Sequence, residues 1–395
     1  MARARSGAEL LGIPCWRRLA VLGLVAPFVG FAHTAVAGPI DFSNCGGGTS
    51  CPYVTYGDAE SYSLNLNALL WDHHNGGGTG PGNPFYVTST PGAIKNLIVP
   101  ATGASGGPVT TNFSGMDNAY PTPNDTAGTV FFTTNKSAYG YPPAPAGVSA
   151  PADPAPSGFT GDTPNTWDTT LSAFQSYLGT GNTPIFFFNN NQVNSGATTN
   201  QNLAVWAQIT LTDSTGKNGP VYFDLTNNGG TFTEPGGGIP STVDPTAYLT
   251  YTNSTGSGPN AGTNASTDYV MSGGRICLDA AYQGQACDGT QAYTVNNNLG
   301  ADQAAYALVV PELNQYLLAT NFGGYDAMSL DLRMGCDPRT TDPGTNCVGR
   351  SINNGYEQVF IASTAGPNSI PEPGTLALMS VGLLGVGLAR RRKVH

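Results

Sequence analysis

Every second residue from Leu203 to Leu211 is apolar: Leu203, Val205, Ala207, Ile209 and Leu211. A period of two is the mark of a strand with one buried face. It recurs where Val221, Phe223 and Leu225 alternate with Tyr222 and Asp224, and where Met328, Leu330, Leu332 and Met334 alternate with Ser329, Asp331 and Arg333. Tyr356 to Ser363 reads as a final strand. The continuous run Ile185-Phe186-Phe187-Phe188 predicts a central strand covered on both faces. Shorter candidates are Phe85 to Thr88, Val130 to Thr133, Ala247 to Thr252 and Ile276 to Leu278. Between these runs lie many of the chain's 53 Gly and 30 Pro, which break helices and make turns. The expected fold is mainly β, an antiparallel β-sandwich with one or two short helices.

Trp167, Leu171, Phe174 and Leu178 recur at helical spacing, with Thr166 as an N-cap and Gly179 as the stop. A second helical stretch runs from about Asp302 to Thr320, interrupted by Pro311. Residues 141–164 are dense in Pro, Ala, Gly and Ser and read as a linker or long surface loop. They separate a β-rich N-terminal part, 38–140, from a β-sandwich body, 165–366.

Both ends carry targeting patterns. Arg3, Arg5, Arg17 and Arg18 flank or precede an apolar stretch from Leu19 to Phe31, followed by Ala35-Val36-Ala37. This is the pattern of a secretory signal peptide, residues 1–37, cut before Gly38. Near the other end, Gly374 to Ala389 is a 16-residue uncharged run. As a helix it spans about 24 Å, a short but usable crossing of a bilayer core about 30 Å thick. Arg390, Arg391, Arg392 and Lys393 follow it and should stay cytoplasmic, which leaves the body outside.

The tripeptide Pro371-Glu372-Pro373, the Gly/Leu-rich segment and the Arg cluster, in that order, resemble the PEP-CTERM sorting signal of Gram-negative bacteria. The resemblance covers residues 370–393. It implies an exosortase-like membrane protease as partner, transient anchoring in the inner membrane, and processing before release to the cell surface or medium. It also implies association with exopolysaccharide, which such hosts typically make.

Outside the leader and the tail, seven basic residues face 23 acidic ones, a net charge of −16. Such a body repels nucleic acid, so no nucleic-acid partner is expected. Its six cysteines are Cys45, Cys51, Cys277, Cys287, Cys336 and Cys347. They allow 15 disulfide connectivities, of which the sequence-local pairing of neighbours is simplest. Zinc is disfavoured, since C-x-x-C knuckles are absent.

Candidate chemistry is sparse. His73 and His74 beside Asp72 offer a base or a metal pair, or else a polar turn into Gly76-Gly77-Gly78. Gly103 to Val109, with Ser105, looks like a nucleophile loop but has Ala104 where Asp belongs. Gly344 to Ser351 has phosphate-loop spacing but Arg350 in place of Lys, in an exported chain. Glu60, Glu234, Glu312 and Glu357 give no evident facing pair of the kind glycosidases need. No D-x-D-x-D-G calcium loop occurs. Trp206 and Tyr222 fall at outward strand positions, where aromatic faces either stack on sugar rings or pack as core against a second sheet. The expected function is therefore a non-catalytic exported surface or matrix protein associated with exopolysaccharide, without cofactor or metal. The alternative is a secreted hydrolase acting on glycan or peptide.

Overall fold

The computed structural model describes residues 40–56, 58–94, 96–103, 112–123, 131–134, 148–149, 159–189, 205–226, 276–285, 289–297, 299–335, 352 and 357–364. A seven-stranded sheet runs in the order β1 (Val54–Tyr56), β2 (Ala59–Ser63), β14 (Tyr306–Val309), β8 (Pro184–Asn189), β16 (Gln358–Ser363), β3 (Ile98–Thr102), β4 (Tyr120–Pro121). A six-stranded sheet holds β10 (Val221–Thr226), β9 (Val205–Thr212), β15 (Ala327–Gly335), β5 (Phe131–Thr133) and β6 (Val148–Ser149), with β7 (Trp167–Thr170) also paired to β15. A small third sheet is β12 (Gly284–Gln285), β11 (Ile276–Leu278), β13 (Tyr293–Val295). Among these pairings only β3 with β4 and β5 with β6 are parallel. Strands from before and after residues 141–164 share the seven-stranded sheet, since β2 pairs β14 and β3 pairs β16.

The two large sheets pack face to face. Phe186, Phe188, Leu308 and Ile361 from one meet Ile209, Leu211, Phe223, Met328 and Leu330 from the other in one core cluster. The far face of the seven-stranded sheet carries Tyr62, Ile185, Phe187 and Phe360, buried under Leu64, Phe85, Val87 and Leu97. β8 is thus covered on both sides, which is why its sequence is apolar without alternation. Each such buried phenylalanine contributes roughly 1.5–3 kcal/mol of transfer free energy. The rings of Phe187 and Phe360 stack at 5.2 Å.

The helices differ from the sequence expectation in their boundaries. Trp167 lies in β7, and α3 (Leu171–Leu178) starts four residues later than the spacing predicts. Its N-cap is Thr170, whose hydroxyl accepts from Ala173 N at 3.2 Å, while Gly179 at φ 84° ends it. Pairing with β15 and an indole hydrogen bond to the Asp117 carbonyl (3.2 Å) hold Trp167 extended. Likewise Pro311 does not interrupt a helix. It opens α4 (Pro311–Leu318), where its missing N–H is unneeded, and the residues before it form β14. A helix the pattern did not show, α1 (Leu64–Asn75), is capped by Ser63, whose hydroxyl accepts from Leu66 N at 3.3 Å. A single turn, α2 (Pro91–Ile94), follows.

β15 also corrects the half-buried reading. Ser329, Asp331 and Arg333 are buried as fully as the apolar residues between them. Arg333 donates to Asp331 twice, Nε to Oδ1 at 3.2 Å and Nη2 to Oδ2 at 2.6 Å. The polar face of the sheet is therefore covered along β15, while the same face opens to solvent at Tyr222 on β10, two strands away. Among the described residues no helix is long and apolar enough to cross a membrane; the segment 374–389 lies outside them.

Candidate functional site

Three places gather chemistry-bearing side chains. The first is a carboxylate corner. Asp168 on β7 and Asp117 are 51 residues apart in sequence, and a bridge between Met116 and Thr169 joins them. Asp117 N donates to the Asp168 carbonyl at 2.8 Å, and Asp168 N donates to Asp117 Oδ2 at 2.9 Å. Asp162 completes the group, the three oxygens lying within 4.8 Å of one another. Asp168 accepts from Thr163 N (2.9 Å) and from the Thr163 and Thr166 hydroxyls. Thr166 therefore serves this carboxylate rather than capping a helix. Burial pushes the Asp168 carboxyl up to about 6, against the opposing pull of hydrogen bonds from Ser329, Thr163 and Thr166. An all-oxygen set of this kind has the chemistry of a calcium ligand group. It is equally a hydrogen-bonded corner, because threonine donors satisfy Asp168 without an ion.

The second place is the end of α1. The rings of His73 and His74 lie 4.7 Å apart, tilted by 58°, but each has a different further partner, as does Asp72. Asp72 Oδ1 accepts from Gly78 N at 2.6 Å. His73 stacks on Tyr282 at 3.9 Å, and Tyr282 on Tyr293 at 4.3 Å. His74 lies under the loop closed by the disulfide Cys45–Cys51, so close that a Cβ on Gly46 would meet it at 2.7 Å. The two histidines thus anchor the third sheet and the first loop to the sandwich.

The third place is the outer face of the six-stranded sheet. Register sets Tyr222 opposite Thr210, and Thr210 opposite Ser329; the next row but one is Asp224, Gln208 and Asp331. Gln208 Nε2 donates to Asp224 Oδ1 at 2.9 Å. Tyr222 is 43% exposed. Trp206 sits in β9 between Thr226 and Arg333, and its side chain lies outside those described.

The remaining sequence candidates scatter. Glu60 accepts from the Tyr62 hydroxyl at 2.8 Å on β2, Glu312 is exposed in the first turn of α4, and Glu357 is wholly buried before β16. Cys277 is disulfide-bonded. Ala35, Ala37, Gly38, Ser105, Glu234, Cys287, Cys336, Cys347, the 344–351 loop, Pro371, Glu372, Pro373 and the basic cluster Arg390 to Lys393 lie outside the described residues, as does the Ala247–Thr252 candidate.

The profile of a family described as a Domain of unknown function (DUF8239) matches residues 44–333, most of the chain. The chain belongs to that family. The DUF8239 match runs from the first disulfide loop into β15 and leaves β16 beyond it. A second profile, the PEP-CTERM protein-sorting motif, matches residues 369–393. This DUF8239 protein is accordingly exported and targeted to exosortase, a membrane protease, through that motif. No curated protein and no solved structure matches it.

Proposed function

We propose that this DUF8239 chain is a non-catalytic surface protein that associates with extracellular polysaccharide after exosortase-type processing. The observation that supports it is Tyr222, held exposed on a polar sheet face beside Thr210 and the Gln208–Asp224 pair. A phenol ring offers an apolar face to a sugar ring and a polar rim to its hydroxyls. The carboxyl groups raised furthest, by contrast, serve structure. Asp168 holds a corner, and Glu357 is sealed beneath the sheet.

The test has two parts. Intact mass of the protein recovered from cell surface and medium should lack the leader and the residues after about Pro373. The same material should be retained by the host's own extracellular polysaccharide and lose retention in Tyr222→Ala, with no product released. A full-length tail in the mature form, or retention indifferent to Tyr222, counts against the reading.

A secreted hydrolase is the second reading, favoured by one observation: a buried carboxyl at about 6, near the range useful to a general acid. It predicts turnover of glycan or peptide that Asp168→Asn abolishes while the fold is kept.

A further inference from the structure

We infer that the turn Thr320–Gly324, with the β9–β10 loop docked on it, is a second surface that takes an uncharged polysaccharide, on the side of β10 opposite Tyr222, since Tyr316 packs on Phe223; this rests on the glycan-associated reading above. The turn is built in a conformation that L-residues avoid. Asn321 (φ 50°, ψ 36°) and Phe322 (φ 50°, ψ 33°) are both left-handed, followed by Gly323 at φ 67°. Asparagine tolerates this region, whereas a bulky aromatic does so only under constraint. Backbone strain of this kind survives where surrounding structure over-determines it, and it concentrates at binding sites.

The constraint is visible. Tyr325 Oη donates to the Gly219 carbonyl at 3.1 Å, Asn218 Nδ2 to the Gly324 carbonyl at 3.4 Å, and Ser214 N to Asp326 Oδ1 at 3.0 Å. The Ser214 hydroxyl also bonds Asp326. Two loops 106 to 112 residues apart in sequence are thereby locked together. What they present is aromatic and amide. Tyr316 and Tyr325 are part-buried and packed against the core, Tyr316 edge-on to Phe223 and Tyr325 at 5.8 and 5.6 Å, so each offers only part of its ring, while Asn321 is exposed and Leu318 on the adjoining helix is 54% exposed.

The charges around this surface are largely consumed. The Asp213 carboxylate takes hydrogen bonds from Thr215, Lys217 N and Asn218, which hold it below its usual range, and Asp326 is taken by Ser214. Lys217 is the single cation of the Asp213–Pro220 loop. With a body at −16, a polyanion is repelled at long range. An uncharged polymer meets no such barrier, and its rings and hydroxyls suit Tyr316, Tyr325 and the Asn321 amide.

The experiment uses the mature exported protein and two probes: the uncharged fraction of the host's own polysaccharide, taken as the flow-through of an anion-exchange column, and alginate as polyanion. Asn321→Gly keeps the backbone shape, removes the amide and relieves strain, so it should raise the thermal midpoint while weakening binding at least fivefold. Tyr316→Leu, which keeps apolar volume, should weaken it about tenfold. If wild type is retained and Asn321→Gly and Tyr316→Leu bind as tightly as it does, this surface is wrong and the broader reading survives. If wild type is retained by the host's total polysaccharide but not by its uncharged fraction, this inference falls and the broader reading survives; if it is retained by neither, both fall. Retention on alginate equal to that on the uncharged fraction overturns the choice of ligand.

Discussion

Glu357 offers a quantitative test of how this fold is held. It has no exposed surface, and it stands at the entry to β16, where its carbonyl accepts from the Thr122 hydroxyl at 3.0 Å. Burial raises its carboxyl from 4.5 to about 8. The folded chain therefore keeps a proton that the unfolded chain releases above 4.5. Stability is greatest on the acid side and falls by about 1.4 kcal/mol for each pH unit within the window from 4.5 to 8. Integrated from pH 5 to pH 7, this one group removes about 2.5 kcal/mol. Glu357→Gln fixes the neutral shape and should abolish that contribution. Urea unfolding of both proteins at pH 5, 6, 7 and 8 gives the comparison, in which the Asp168 contribution, common to both, cancels. The variant should gain about 2.5 kcal/mol relative to wild type between pH 5 and pH 7. Parallel pH profiles would refute the reasoning.

Other predictions follow from the same interior. Arg333→Met should cost about 3–5 kcal/mol by stranding buried Asp331, and the double change with Asp331→Leu should recover most of it in urea unfolding. Phe187→Ala, in a strand covered on both faces, should cost about 3–5 kcal/mol by the same assay. Cys45→Ser with Cys51→Ser opens a loop of sequence separation 6 and should cost about 2 kcal/mol, seen as a lower thermal midpoint under non-reducing conditions only.

The strands were legible where burial falls on one face or on both. β8, β9, β10 and β16 appear where alternation or an unbroken apolar run places them, because a sheet imposes its period on side chains directly. β15 was legible as a strand, but Ser329, Asp331 and Arg333 were not legible as buried: polarity reports exposure only when no ion pair or hydroxyl network compensates it. Helix α1 escaped because it buries Leu64, Leu66, Asn67 and Ala68, which do not form a single helical stripe. Trp167 misled for the opposite reason, its helical spacing being overruled by pairing with β15. The carboxylate corner lay beyond sequence reasoning, since Asp117 and Asp168 meet only through a tertiary bridge. The left-handed Asn321-Phe322 pair leaves no mark in composition at all.

The position of β16 imposes an order of events. The last described strand is not an edge piece added at the end; it lies between β8 and β3, in the interior of the seven-stranded sheet. Until Gln358–Ser363 has been exported, that sheet has a gap at its centre, and β3 and β4 have no neighbour through which to join it. Five residues separate Ser363 from the sorting motif at 369, a reach of at most about 22 Å when fully extended. The final strand thus emerges almost together with the membrane signal. The protease meets its site within a short reach of a strand built into the centre of the sheet, and cutting there leaves every described strand on the body.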